Sequence, residues 1–80
     1  MQIEYSKQAV KTISNIDTAT KNRIRQGINK IPEGDIVPLK NSPGSYRLRV
    51  GGWRIIFSYL NDDVILIERI APRGDVYKGA

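Results

Sequence analysis

The first residues of the chain alternate between polar and apolar side chains and then change period. Ile3 and Tyr5 are flanked by single polar residues, which predicts a short first strand. Ser6 supplies a side chain that can cap the start of a helix. The apolar positions that follow gather on one side of a helix: Ala9, Val10, Ile13 and Ile16. We therefore expect a strand followed by an amphipathic helix.

A second helical pattern follows Asp17, which is another suitable N-terminal cap. Its core-facing positions recur at the i, i+3, i+4, i+7 spacing: Ile24, Gly27, Ile28 and Ile31. Pro32 has no amide hydrogen to donate, so we expect the helix to end before it.

Residues 32–45 contain three prolines and two glycines, which predicts a surface loop. Three strands should follow, over residues 46–50, 53–60 and 64–71. The turn between the last two lies within residues 61–63, and loops of two or three residues both remain open. The order is β-α-α-β-β-β in a single domain, residues 1–80. Two N-terminal helices on one face of a small, mainly antiparallel twisted sheet form the expected α+β fold.

The dipeptide Gly51-Gly52 fixes the register of the first two of these strands, because favoured two-residue hairpin turns need positive φ. Counting outward gives the pairs Val50–Trp53, Arg49–Arg54, Leu48–Ile55 and Arg47–Ile56. Alternate side chains then face the helices: Tyr46, Leu48, Val50, Trp53, Ile55, Phe57 and Tyr59. The strand that begins at Trp53 is too apolar for simple alternation, so it should be central in the sheet.

Three arginines fall on the other face of this hairpin: Arg47, Arg49 and Arg54. Like charges opposed across two strands destabilise a sheet, and no acidic residue occurs between positions 41 and 61. We therefore expect this face to bind an anion, although an ordinary solvated polar face is the alternative. The anion hypothesis requires the guanidinium groups to converge without being taken up by internal carboxylates. Whether Arg69 joins them depends on the unresolved turn.

The amino-acid composition favours one class of partner and excludes several kinds of functional site. The net charge of +5 and pI near 9.8 favour phosphate-rich partners. The absence of cysteine and histidine excludes disulfides, thiolate zinc sites and the usual catalytic triads. We expect no metal and no cofactor. The N-terminus lacks an apolar signal segment and no stretch is long enough for a membrane helix, so we expect a complete cytoplasmic chain.

RNA cleavage suits a basic site that has no metal. The 2′-hydroxyl of RNA is its own nucleophile, so a protein needs only to align it, neutralise developing charge and assist proton transfer. Arginine donates hydrogen bonds to two phosphate oxygens and stays charged, which makes it a good charge stabiliser and a poor general base.

The sequence resembles the RelE branch of the RelE/ParE toxin superfamily. The matching segments are YRLRVGGWRIIF, the preceding PLKNSPGS and the final RIAPRGDVYK, and the resemblance extends over nearly the whole chain. It implies a toxin of a type II toxin–antitoxin system that cuts messenger RNA in the ribosomal A site, leaving a 2′,3′-cyclic phosphate. The implied partners are the 70S ribosome with its messenger RNA and a RelB-like antitoxin, which could form a heterotetramer with the toxin.

The resemblance also implies roles for individual residues. Arg47 and Arg49 match basic positions that orient substrate, and Arg54 matches the arginine that stabilises the phosphate. Arg73 matches a C-terminal basic residue that stabilises charge or protonates the leaving group. Tyr77 matches a tyrosine that stacks on or orients the nucleotide, although packing of the tail is the alternative.

Arginine at positions 47 and 49, where relatives often carry lysine, leaves the general base unassigned. Lys40 and Glu68 are the two candidate substitutes, and Lys40 is also a candidate contact to RNA or the ribosome. Trp53 is interpreted as a core aromatic residue and not as a platform for a base.

Basic residues on the helices form two like-charged i, i+4 pairs, Lys7 with Lys11 and Lys21 with Arg25. Such pairs are mildly unfavourable on a helix. They are either solvated surface or contacts to ribosomal RNA.

Two other functions remain open from the sequence. One is a ParE-like inhibitor of DNA gyrase, and the other is a noncatalytic RNA-binding module or inactive toxin remnant. The combination of Arg73 and Tyr77 with the arginine hairpin favours the nuclease.

Overall fold

The architecture is taken from a computed structural model that describes residues 2–72. These residues form two helices, α1 (Lys7–Ser14) and α2 (Thr18–Asn29), and five strands: β1 (Gln2–Tyr5), β2 (Asp35–Pro38), β3 (Ser45–Val50), β4 (Trp53–Asn61) and β5 (Val64–Pro72). The strand order is β1-β5-β4-β3-β2, with β1 parallel to β5 and the other neighbours antiparallel. The predicted α+β fold is confirmed, with one additional strand.

The additional strand, β2, lies inside the segment predicted to be a surface loop, so that prediction was wrong for residues 35–38. Ile36 pairs with Leu48, and the strand forms the edge of the sheet beside β3. Gly34, with φ of 124°, precedes it, and Pro38 ends it. A proline is tolerated there because an edge strand leaves one row of its backbone groups outside the ladder.

Both predicted helix caps are present. The side chain of Ser6 accepts a hydrogen bond from the amide of Ala9, and Asp17 accepts one from the amide of Thr20. These contacts satisfy amide groups that have no partner inside the first turn of a helix. No helix within residues 2–72 is long and apolar enough to cross a membrane.

Two details of the first helix differ from the prediction. Helix α1 ends at Ser14, so Ile16 lies beyond it, although Ile16 still packs against the core. Val10 is 49% exposed and does not belong to the buried side.

The core lies between the helices and one face of the sheet. Its central members come from both layers: Ala9, Ile24, Ile28, Ile31, Leu48, Ile55, Phe57, Ile65, Ile67 and Ile70. Trp53, Tyr46 and Val50 are partly buried against this cluster, as expected for core-facing positions. Tyr59 is 42% exposed, so its predicted place in the core was wrong. It instead contacts Tyr46 and Phe57 edge-on at the margin of the cluster.

The predicted β3–β4 hairpin has the register expected from its turn. Val50 pairs with Trp53 and Arg49 with Arg54 across the two-residue turn. Gly51 has φ of 58°, whereas Gly52 does not have positive φ. Only the first central residue therefore needs the conformation that favours glycine, as in a type II′ turn.

The turn between β4 and β5 contains two loop residues, Asp62 and Asp63, because Asn61 pairs with Val64. The Asn61 side chain accepts a hydrogen bond from the amide of Asp63, which stabilises the turn locally.

A bulge in β5 changes which side chains face the core. Phe57 pairs with Ile67 but its neighbour Ile56 pairs with Arg69, so Glu68 is the extra residue. The bulge directs Ile70 into the core and leaves Arg69 on the opposite face. This answers the question that the sequence left open about Arg69.

The backbone of β5 beyond Ile67 has no β1 residue beside it, and the start of α1 takes that place. The Ser6 hydroxyl donates to the carbonyl of Glu68, and Gln8 Oε1 accepts from the amide of Ile70. Polar side chains therefore continue the hydrogen bonding where the ladder stops.

We predict that Gly27→Ala destabilises the protein although alanine usually favours a helix interior. A Cβ at position 27 would lie 2.6 Å from Val50 Cγ2, and a β-branched side chain in a strand has little freedom to move away. We expect the free energy of unfolding in urea to fall by about 1–3 kcal/mol. Gln26→Ala on the exposed side of α2 is the control for helix propensity.

In a Val50→Ala background, Gly27→Ala should lower the free energy of unfolding much less than it does in the wild type. Equal or greater stability of the Gly27→Ala single variant would contradict the close packing of α2 on β3.

Candidate functional site

Four arginines lie on the sheet face opposite the helices, and we call them the arginine face: Arg47, Arg49, Arg54 and Arg69. They occupy two adjacent rows across three strands. In one row Arg47 pairs with Ile56, and Ile56 with Arg69. In the next row Arg49 pairs with Arg54. Side chains that pair directly share a face and lie about 5 Å apart at Cβ, so Arg49 and Arg54 are neighbours, whereas Arg47 and Arg69 lie on either side of Ile56. The register thus places the three predicted hairpin arginines and Arg69 on one face of the sheet.

The arginines differ greatly in exposure. Arg54, on the central strand β4, is 4% exposed, whereas the Arg49 side chain retains 40% of its accessible surface. The Arg47 side chain is intermediate at 14%. Arg54 and the buried Ile56 therefore form the floor of the face, and Arg49 lies at its rim.

An acidic residue contacts this face, contrary to the expectation from the sequence. Asp35 of β2 lies directly opposite Arg49 and accepts hydrogen bonds from Arg49 Nε at 2.8 Å and Arg47 Nη2 at 3.2 Å. The expectation failed because it counted acids only within residues 41–61, and Asp35 comes from the strand that was not predicted. Arg47 and Arg49 therefore do not meet the requirement that the guanidinium groups stay clear of internal carboxylates.

The contact with Asp35 is at the protein surface. The Asp35 side chain is 45% exposed, and exposed ion pairs contribute little to stability. A hydrogen bond from Arg49 lowers the pKa of the Asp35 carboxyl, and the charges of Arg47 and Arg54 lower it further. Asp35 is therefore ionised at neutral pH and within electrostatic range of three arginines.

Of the two candidates for a general base, Glu68 lies on the arginine face. Its carboxylate accepts a hydrogen bond of 3.0 Å from the Ser45 hydroxyl, and Ser45 shares a face with Arg47 because the two alternate along β3. Lys40 is exposed in the turn between β2 and β3, beyond the opposite end of β3 from the Arg49–Arg54 pair.

The basic helix residues are separate from this face. Lys7, Lys11, Lys21 and Arg25 belong to α1 and α2, whose apolar sides cover the other face of the sheet. Lys21 and Arg25 line a pocket of about 210 Å³ with Tyr5 and Val10. Burial raises the pKa of Tyr5, while the charge and hydrogen bonding of Arg25 oppose that rise.

Arg73 and Tyr77 lie outside the described residues, so their predicted roles remain predictions.

Sequence reasoning missed Asp35, and the only signal for it was the four-residue run DIVP between Gly34 and Leu39. The sequence carries a clearer signal for the face of the sheet on which Arg69 lies. Apolar positions in β5 recur at 65 and 67 and then at 70, and this change of spacing is typical of a bulge.

The arginine face can bind an oxyanion. Guanidinium groups from adjacent strands offer several donors to phosphate oxygens, and a floor from which water is largely excluded strengthens such contacts. The same groups can stabilise negative charge that develops on a phosphate.

Comparison with known proteins gives the family. A family model described as the ParE toxin of the type II toxin–antitoxin system parDE matches residues 3–77. A protein of Methanocaldococcus jannaschii, provisionally named toxin RelE1, is 31% identical over an alignment of 84 residues that covers 95% of this chain and 93% of the relative.

Solved structures agree with this. A chain in the crystal structure of the RelB–RelE antitoxin–toxin complex from Methanococcus jannaschii superposes with a TM-score of 0.76 at 25% identity, covering 95% of this chain and 96% of that chain. A chain in the RelE–RelB complex from Pyrococcus horikoshii OT3 gives 0.70 at 29% identity, with 91% and 94% covered. The extent of these matches over an α+β fold that carries an arginine face shows that the chain is a RelE-type toxin of the RelE/ParE superfamily of type II toxin–antitoxin systems.

Proposed function

We propose that this toxin is a metal-independent endoribonuclease that cleaves messenger RNA in the A site of the ribosome and so inhibits translation. The observation that carries the proposal is the strand register, which puts Arg47, Arg49, Arg54 and Arg69 on one face of the sheet. In the reaction the 2′-hydroxyl oxygen attacks the adjacent phosphorus and the bond to the 5′-oxygen breaks. The products are a 2′,3′-cyclic phosphate and a 5′-hydroxyl.

The different exposures of the arginines indicate a different role for each. Arg49 at the rim is accessible for the first contact with the RNA backbone. In this proposal Arg54 at the floor stabilises the phosphate as its charge increases, because a charged donor in a drier site interacts more strongly. Glu68, whose carboxylate contacts Ser45, is the proposed acceptor of the 2′-hydroxyl proton.

One observation favours a second function, inhibition of DNA gyrase. The matching family model is described as the ParE toxin. Incubation of the toxin with translating ribosomes, and separately with gyrase and supercoiled DNA, distinguishes the two. Messenger cleavage in phase with codons supports the nuclease. Gyrase-linked DNA breaks without RNA cleavage support the ParE-like function, and neither activity indicates an inactive remnant or an RNA-binding module.

We predict that Arg54→Ala lowers the rate of ribosome-dependent cleavage by about a hundred-fold or more, on the order of 3 kcal/mol of transition-state stabilisation. Arg54→Lys keeps the charge but loses the two-pronged donor, so its rate should fall between those of Arg54→Ala and the wild type. Arg73→Ala should lose a similar amount if it has the role that the resemblance implies. Primer extension on the messenger measures the cuts.

Arg23→Ala is the matched control, because it removes an exposed guanidinium that belongs to α2 and lies near the turn at Gly51, outside the arginine face. Thermal unfolding must show that each variant is folded at the assay temperature, since Arg54 is buried. Wild-type cleavage by both Arg54→Ala and Arg73→Ala would remove the assigned roles.

We also propose a RelB-like antitoxin as the partner that restrains this toxin. A segment of acidic or amphipathic character is expected, because the toxin carries a net charge of +5. Co-expression with the neighbouring open reading frame should give a stable complex, and its mass by light scattering should match a heterotetramer of two toxins and two antitoxins. The complex should not cleave messenger RNA. A complex that leaves the arginine face accessible and active would contradict neutralisation at this face.

A further inference from the structure

Asp35 occupies the donors that a substrate phosphate would need. One of its carboxylate oxygens accepts from Arg47 and the other from Arg49, so the carboxylate bridges two neighbouring arginines of the proposed phosphate site. Cross-strand pairing places Asp35 beside Arg49 in the same row that contains Arg54. The contact is therefore fixed by the sheet register and does not depend on a loop conformation.

A phosphate and a carboxylate bind these donors in the same way. Each presents oxygen acceptors to guanidinium donors, here one donor from each of two arginines, so occupation by one excludes the other from the same hydrogen bonds. The bridge is open to water, because the side chains of Asp35 and Arg49 are 45% and 40% exposed. An ion pair of this exposure is weak enough to be exchanged for an anionic ligand.

We propose that Asp35 is an internal competitor for the RNA phosphate, so that it weakens the binding of RNA to the arginine face. The inference rests on the proposed RNA function and concerns the same site. The hydrogen bond from Arg49 lowers the pKa of the Asp35 carboxyl, so Asp35 is ionised and competes at neutral pH.

The test compares two substitutions that change the net charge equally. Asp35→Asn removes the competing charge, whereas Glu33→Gln removes an exposed carboxylate just before β2 that makes no ion pair with any described residue. The probe is a short fluorescent RNA with 2′-O-methyl groups, which block attack and allow binding to be measured by anisotropy at low salt. Asp35→Asn should lower Kd about three-fold, and Glu33→Gln by less than about 1.5-fold.

A double-mutant cycle with Arg49→Ala shows whether the gain acts through the arginine. The gain from Asp35→Asn should be clearly smaller in the Arg49→Ala background, while the small effect of Glu33→Gln should be unchanged. Asp35→Ser provides a second way to remove the carboxylate, and thermal unfolding confirms that each protein is folded.

The outcomes separate this inference from the proposed function. Equal effects of Asp35→Asn and Glu33→Gln overturn the competitor role, as does weaker binding by Asp35→Asn, which would mean that Asp35 positions the arginines for substrate. If the wild type and all variants fail to bind RNA at low salt, the competitor role is overturned, whereas the ribosome-dependent function is decided separately by the messenger cleavage assay.

Discussion

The register of the β3–β4 hairpin is the constraint on which both the core and the candidate site depend. Strict alternation along β3 sends Leu48 to the helices and Arg47 and Arg49 to the other face. A slip of one residue would exchange these sets and bury arginines against α2. The turn at Gly51 therefore determines which side chains form the arginine face and which side chains pack against the helices. Burial of the apolar face then holds the arginines in place, although they repel one another.

The bulge at Glu68 extends this arrangement to a third strand. Without it, continued alternation from Ile67 would direct Arg69 into the core and Ile70 out of it. Burying an arginine without compensating partners costs far more than the local distortion of a bulge, so the apolar position of Ile70 and the charge of Arg69 both favour the bulged form. The contact of Ser6 with the Glu68 carbonyl supports the irregular backbone at this point.

Local signals explain which parts of the structure were predictable from the sequence. The caps at Ser6 and Asp17 and the turn at Gly51 act within a few residues, and each was placed correctly. Strand β2 has only two apolar residues, and its formation depends on pairing with β3, a nonlocal contact that propensity does not encode. The shared face of Arg47, Arg49 and Arg54 was predicted, because it follows from the hairpin register. Asp35 was not, because its proximity to Arg49 depends on the strand that was missed.

Asp35 also explains how the arginine face can exist in a folded protein without a ligand. In the row Asp35, Arg49, Arg54 the carboxylate lies at the outer edge, where it offsets repulsion between the arginines. An ion pair with little access to water is hard to separate. A carboxylate at the exposed end of the row is exchangeable. The position of Asp35 is therefore compatible with a stable toxin and with the binding of an anion by the same arginines.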